Sequence, residues 1–318
     1  MFKLKVKITA LLFLMLFAVG KEAFADEYEV HAVVISDEFT GRFLSPMGIC
    51  YDDSKERLYV TDSGNGRLIS FDKNLQYLNQ WSNGALLNPV SLVKNSLGKF
   101  YALDSGDHKV KYLDPGINEV RVLDFKDVPK GGSIFIPGKI SLGSDDSLYI
   151  IDKLNKRVVV LDKDEKFKKE LTVNGKDFYG FSDISVTHSG NVVAIDTIGR
   201  YGYIIGSDGK LMKKFGGPAF VKGGGSLYFP VSVYVHEDKK KDDQGNVLEV
   251  SDLKIYILDS HRGRVNVYNE KGSFNFSLAG RGFEKGHLHD PVQILVDEKQ
   301  RVYTLESARV QILKRVNE

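Results

Sequence analysis

Leu58-Tyr59-Val60-Thr61-Asp62, then the polar turn Ser63-Gly64-Asn65-Gly66 and then Arg67-Leu68-Ile69-Ser70-Phe71, decides the fold because its pattern recurs along the chain. Phe100-Tyr101-Ala102-Leu103-Asp104 with Lys109, Leu148-Tyr149-Ile150-Ile151-Asp152 with Arg157, and Val192-Val193-Ala194-Ile195-Asp196 with Arg200 repeat it. Ile255-Tyr256-Ile257-Leu258-Asp259 with Arg264 and Val302-Tyr303-Thr304-Leu305-Glu306 with Arg309 complete a set of six. Each copy is an apolar strand ending in an acid, a short turn, and a base that opens the next strand. The acids are spaced by 42, 48, 44, 63 and 47 residues. A period in the forties with several short strands per unit is the pattern of a β-propeller. The interval of 63 contains a polar insertion, residues 237–252, without which it matches the others.

Each unit reads as four strands, a to d. Pro46, Pro89, Pro137, Pro230 and Pro291 stand where strand a opens, a position that need not donate to the ladder. The sixth unit reaches only its strand c, at residues 310–314. Tyr28-Glu29-Val30-His31-Ala32-Val33-Val34-Ile35-Ser36 has strand composition and no local partner. It is predicted to supply the missing strand d, closing the ring and removing exposed edges. The expected fold is all-β: a six-bladed propeller of four-stranded antiparallel blades, spanning residues 26–318.

The first 25 residues are excluded from that fold. Lys3, Lys5 and Lys7 precede a mostly apolar run, residues 8–19, and Ala23-Phe24-Ala25 follows as a small-x-small site. The run falls short of the roughly 20 residues that cross a bilayer, so it reads as a signal peptide; an uncleaved anchor is the alternative. The chain is therefore expected to be exported, periplasmic or extracellular, with no stable membrane anchor after cleavage. Without this segment the formal charge moves from +2 to −1, which gives no electrostatic case for nucleic acid. The single cysteine, Cys50, sits in an apolar stretch and reads as a small buried hydrophobe.

The acid at the end of strand b is expected to accept backbone N–H bonds across the b–c turn and to pair with the following base. Asp62, Asp104, Asp152, Asp196, Asp259 and Glu306 are thus read as structural anchors. Thr61-Asp62-Ser63-Gly64-Asn65-Gly66-Arg67-Leu68-Ile69-Ser70-Phe71-Asp72 resembles the core of an NHL repeat, as does Leu258-Asp259-Ser260-His261-Arg262-Gly263-Arg264-Val265-Asn266-Val267-Tyr268. The lead-in from Gly280-Arg281-Gly282-Phe283 to Leu288-His289-Asp290-Pro291 is similar to the loop before such repeats. This resemblance implies a propeller that serves as a binding module or underlies an enzyme. Blade four departs from it, with Phe181-Ser182-Asp183 in place of the opening proline and a shorter turn; blade six carries Glu306 for Asp.

Two functional readings follow. The d–a loops are unequal, and the long ones carry Phe135, Phe220, Tyr228, Phe229 and Phe283 beside Lys222 and Arg281. Long loops with aromatic and basic residues suit a protein or peptide partner, although the same aromatics could cap the core. The second reading is a metal-dependent lyase or hydrolase in the central channel. Lactonase-type six-bladed propellers hold a divalent metal there, and Asn88, Asp183 and Asp290 could imitate that set, but Pro46-Met47-Gly48 supplies no Glu. His287 and His289, spaced i and i+2, offer a further metal pair. No cofactor is required by the sequence, and no Cys-x-x-Cys-His haem site or hydrolase elbow occurs. The insertion 237–252 is expected to be a solvated hairpin or loop, on the face away from the aromatic loops.

Overall fold

Alternating apolar residues, aromatic enrichment and tight polar turns build the chain almost wholly from strands. The computed structural model describes residues 28–35, 41–82, 84–129, 134–218 and 224–316. Residues 1–25, expected to be a signal peptide, lie outside these, as do Phe220 and Lys222. The strands form six four-stranded sheets, each paired in sequence order except the last. The molecule is a six-bladed β-propeller.

Strands a lie innermost: Gly48–Asp52, Pro89–Lys94, Pro137–Leu142, Asp183–Val186, Pro230–Lys241 and Gln293–Val296. Pro89, Pro137 and Pro230 open their strands, whereas Pro46 and Pro291 fall just ahead of theirs. The sixth blade takes its outer strand from the other end of the chain. Tyr28–Ile35 pairs antiparallel with Arg309–Arg315, with Val34 opposite Val310 and a register shift between Val30 and Ala32. Closure therefore follows the expected route.

Apolar side chains from neighbouring blades interleave to make the core. Ile49, Val60 and Ile69 of blade one pack with Leu295, Tyr303 and Ile312 of blade six, and Val34 joins them. The same interleaving continues between blades three and four through Ile151, Val160, Ile184 and Ala194. Each sheet is thus covered on both faces, which is why strand b reads as an unbroken apolar run instead of alternating.

The six acids hold more than their own turns. Leu44 N–H donates to Asp62 Oδ1 at 2.7 Å, Tyr179 N–H to Asp196 Oδ2 at 2.7 Å, and His289 N–H to Glu306 Oε2 at 2.9 Å. Leu87 and Asn88 both donate to Asp104, and Tyr228 and Phe229 both donate to Asp259. Ile136 N–H reaches Asp152 at 3.4 Å. Each carboxylate therefore pins the d–a loop that leads into its own blade, a role the sequence reading had confined to the b–c turn.

The basic partners hold in blades one, three and six: Arg67–Asp62 at 2.7 Å, Arg157–Asp152 at 2.9 Å and Arg309–Glu306 at 2.9 Å. Two expectations are corrected. In blade two the partner is Lys111, at 2.7 Å from Asp104, while Lys109 points to solvent. In blade four the shortened turn puts Arg200 in the left-handed region, φ 63°, and its guanidinium lies 5.0 Å over the Tyr228 ring. Asp196 is instead satisfied by the N–H groups of Ile198 and Gly199.

Glycine is required in the two most regular turns. Gly66 and Gly263 have φ of 59° and 58°, and a Cβ at either would lie 2.5 Å from a carbonyl oxygen of the adjoining d–a loop, that of Leu86 or Leu288. The turn and the loop pack backbone to backbone there, which only glycine permits.

Candidate functional site

A ring of strands a leaves six unpaired strand edges facing the axis, and each edge presents backbone N–H and C=O groups that need partners. Toward the d–a end, side chains of neighbouring strands fill this role. Gln293 Oε1 accepts from Ile49 N–H at 3.0 Å, and Ser91 Oγ accepts from Ile140 N–H at 3.4 Å. Ser232 Oγ accepts from Ile294 N–H at 3.3 Å and donates to Asp183 Oδ2 at 2.7 Å; Val233 N–H adds a bond to the same oxygen at 2.9 Å. Lys139 Nζ donates to the carbonyls of Val90 and Met47 at 2.9 and 3.4 Å.

Ser91, Lys139, Asp183, Ser232 and Gln293 thus form a polar girdle, which takes in one of the three proposed channel residues, Asp183. Burial pushes the Asp183 carboxyl up and the Lys139 ammonium down, with the attraction between the two opposing both shifts. Asn88 and Asp290 stay exposed near the loops; the Asn88 N–H goes to Asp104.

Beyond the girdle the ring encloses a cavity of about 340 Å³ that ends at Asp183 and Gln293. Its walls are the later parts of strands a and the a–b turns, so it lies on the face opposite the long aromatic loops. Ionisable residues gather at this end: Asp53, Lys94, His188, Glu237, Lys239, Asp297 and Glu298 all line it. Most are tied. Lys94 pairs with Asp52 at 2.8 Å, Asp297 with Arg301 at 2.6 Å, and Glu298 with Lys241 at 2.5 Å. Glu237 Oε2 accepts from His188 N–H at 2.7 Å.

Asp53 differs. Its Oδ1 accepts from Glu298 N–H at 2.8 Å. Burial pushes its carboxyl up to about 6, with the negative charges of Glu298 and Asp297 adding to the rise and the Glu298 N–H and Lys239 opposing it. Cys50, also in the wall, is held as an unreactive thiol because burial pushes it up to about 12.

The insertion in blade five is a hairpin with mostly exposed residues, as expected, and it also takes part in the cavity. It continues strands Pro230–Lys241 and Val247–Asp259. Glu237 and Lys239 form cavity rim, Lys241 reaches Glu298, and Asp238 Oδ1 accepts from Gln300 Nε2 at 3.2 Å. One irregular hairpin thereby bridges blades four, five and six.

On the other face, the aromatic loops divide. Phe135 packs on the core and against Phe125, ring centroids 4.4 Å apart, so it is a core cap. Phe229 is 39% exposed and stacks on His261 at 4.3 Å with the rings 9° from parallel. Tyr228, 42% exposed, lies beneath the guanidinium groups of Arg200 and Arg262 at 5.0 and 5.7 Å. Arg281 Nη1 donates to His261 O at 3.2 Å, and Phe283, 75% exposed, stacks on His289 at 3.9 Å. The loops therefore bring Tyr228, Phe229, Arg281 and Phe283 into one band across blades five and six. His261 and Arg262, in the b–c turn, belong to it although the sequence reading passed over them.

The metal set does not form among the described residues, where no three His, Cys, Asp or Glu side chains are placed to hold a metal ion. Asp183 is in the girdle, His289 lies under Phe283 with Nδ1 3.6 Å from Asp290, and exposed His287 packs beside Gly282. These donors do not fit a shared ion.

No family model matches the chain, and no curated protein matches it in sequence. Among solved structures it is similar to virginiamycin B lyase from Staphylococcus aureus, with a TM-score of 0.63 at 11% identity over 91% of this chain and 99% of that one. It is also similar to a putative gluconolactonase, with a TM-score of 0.60 at 15% identity over 92% and 94% of the two chains. An auxiliary nutrient binding protein from Bacteroides ovatus gives 0.64 at 16% identity, over 92% of this chain and 75% of that one. At such identities the likeness establishes the six-bladed propeller and carries no activity across.

Proposed function

We propose that the chain is an exported NHL-type propeller that binds a protein or peptide partner on its d–a face. The observation that carries this reading is the band Tyr228, Phe229 and Phe283, three exposed rings braced by His261 and His289 and flanked by Arg200, Arg262 and Arg281. Rings already fixed by stacking lose little side-chain freedom when a partner covers them, and aromatic and arginine side chains dominate binding energy at interfaces. Three guanidinium groups select an acidic segment with apolar or aromatic side chains. NHL type rests on the repeat residues around Asp62 and Asp259, and export on the N-terminal lysines and apolar run. The binding reading requires no cofactor.

The test is a peptide array probed with the parent and with the triple variant Tyr228→Ser, Phe229→Ser, Phe283→Ser. The parent should select acidic peptides with aromatic residues, and the variant should lose them while melting at the parent's temperature. Equal binding by both proteins would move the interface elsewhere.

A further inference from the structure

The cavity on the a–b face goes beyond that reading, because three of the charged groups lining it, Asp53, Glu237 and Lys239, have no ion pair among the described residues. Asp53 spends one oxygen on the Glu298 N–H, and its other oxygen has no hydrogen-bond partner among the described residues. Lys239, an exposed residue at the cavity rim on the blade-five hairpin, makes no ion pair among them. The two feel each other's field yet do not meet as a pair. Tyr234 shares the lining, and its phenol is also without a hydrogen bond among the described residues. The remaining walls include half-buried Leu142 and Val186, which offer apolar surface.

A ligand carrying a single charge meets a like charge in this cavity: an amine meets Lys239, and an acid meets Asp53 and Glu237. A molecule with both charges satisfies both signs and is favoured over either half by attraction and repulsion together. The volume, about 340 Å³, lies at the small end of the range for small-molecule sites. We infer that the cavity binds a small zwitterion of the amino-acid class, with its ammonium on Asp53, its carboxylate on Lys239 and its side chain against Leu142 and Val186. Tyr234 supplies a phenol that can donate to or accept from the ligand's polar head.

Calorimetric titration with two matched series tests this. The first is L-phenylalanine, phenethylamine and 3-phenylpropanoate; the second is L-alanine, ethylamine and propanoate, so that side-chain size is separated from charge. In at least one series the amino acid should bind about tenfold tighter than either singly charged analogue. Asp53→Asn and Lys239→Gln should each remove that preference while the melting temperature confirms a folded protein. An amine binding as tightly as its amino acid would overturn the inference, as would no heat from either series or unchanged selectivity in both variants. Peptide capture by the opposite face is unaffected in these variants, so this failure and that of the proposed function are separate results.

Discussion

Val34 in the first strand lies directly opposite Val310 in the last, so the ring is closed by residues from the two ends of the described chain. Val34 is 5% exposed and packs with Ile312 and Leu305. Removing Tyr28–Ile35 uncovers that cluster and leaves Arg309–Arg315 as an open edge, ready to pair with another chain. The truncated protein should lose at least about 4 kcal/mol of stability and should aggregate on mild heating. A truncated form that melts like the parent would show that closure contributes nothing.

Asp104→Ala should cost about 3 kcal/mol, because it strands the N–H groups of Leu87 and Asn88 and takes from buried Lys111 its closest carboxylate. Asp107, 2.9 Å from Lys111, keeps the loss from being larger. Burial works to raise the Asp104 carboxyl, yet the Lys111 ammonium and the N–H groups of Leu87, Asn88 and Gly106 hold it below the usual range. A depressed carboxylate contributes stability above its ordinary pKa and loses it as pH falls through the depressed one. Urea midpoints should therefore separate parent and variant at neutral pH and converge in acid.

These anchors explain how much the sequence discloses. The fold is legible because six acids at a near-constant interval can only be satisfied by six loops in equivalent places. Blade four shows the limit, since one missing turn residue sends Arg200 to Tyr228 instead of Asp196. The aromatic band was partly legible: ring-rich loops mark a face, but only packing separates Phe135 from Phe283. The cavity was not legible, because Asp53, Tyr234 and Lys239 belong to two blades and share no motif. A signal did exist in the acids that follow strands a, Asp52-Asp53 and Asp297-Glu298, and in an insertion placed on that same face.

Phe135→Ala should destabilise the protein by about 2–3 kcal/mol, since it empties contacts with Phe125 and the blade-three core. Phe283→Ala should cost no more than about 0.5 kcal/mol, its ring being three-quarters exposed at 75%. Thermal melts of the two variants decide whether the loops carry one role or two. Equal losses would mean that Phe283 is also part of the core.

Cys50 should react slowly with iodoacetamide in the folded protein and at the rate of an ordinary thiol in urea. Alkylation needs the thiolate, and burial pushes this thiol up to about 12, against about 8.5 for a free cysteine. Rapid native-state labelling at neutral pH would contradict the environment described for the cavity wall.

Asp53 gives the clearest pH signature. A carboxyl raised to about 6 in the folded protein binds its proton more tightly there than in the unfolded chain. The contribution of Asp53 to folding stability then falls as pH rises from about 4 to about 6, the reverse of the Asp104 case. Burial is the main cause, with the charges of Glu298 and Asp297 adding to it and the Glu298 N–H and Lys239 opposing it. Asp53→Asn removes the ionisation, so it should raise stability at neutral pH by about 1–3 kcal/mol and leave it unchanged near pH about 4. Denaturation of parent and variant at those two pH values measures the difference directly. A variant less stable than the parent at neutral pH would mean that the Asp53 charge is compensated after all, and that the cavity holds no open carboxylate for a ligand to close.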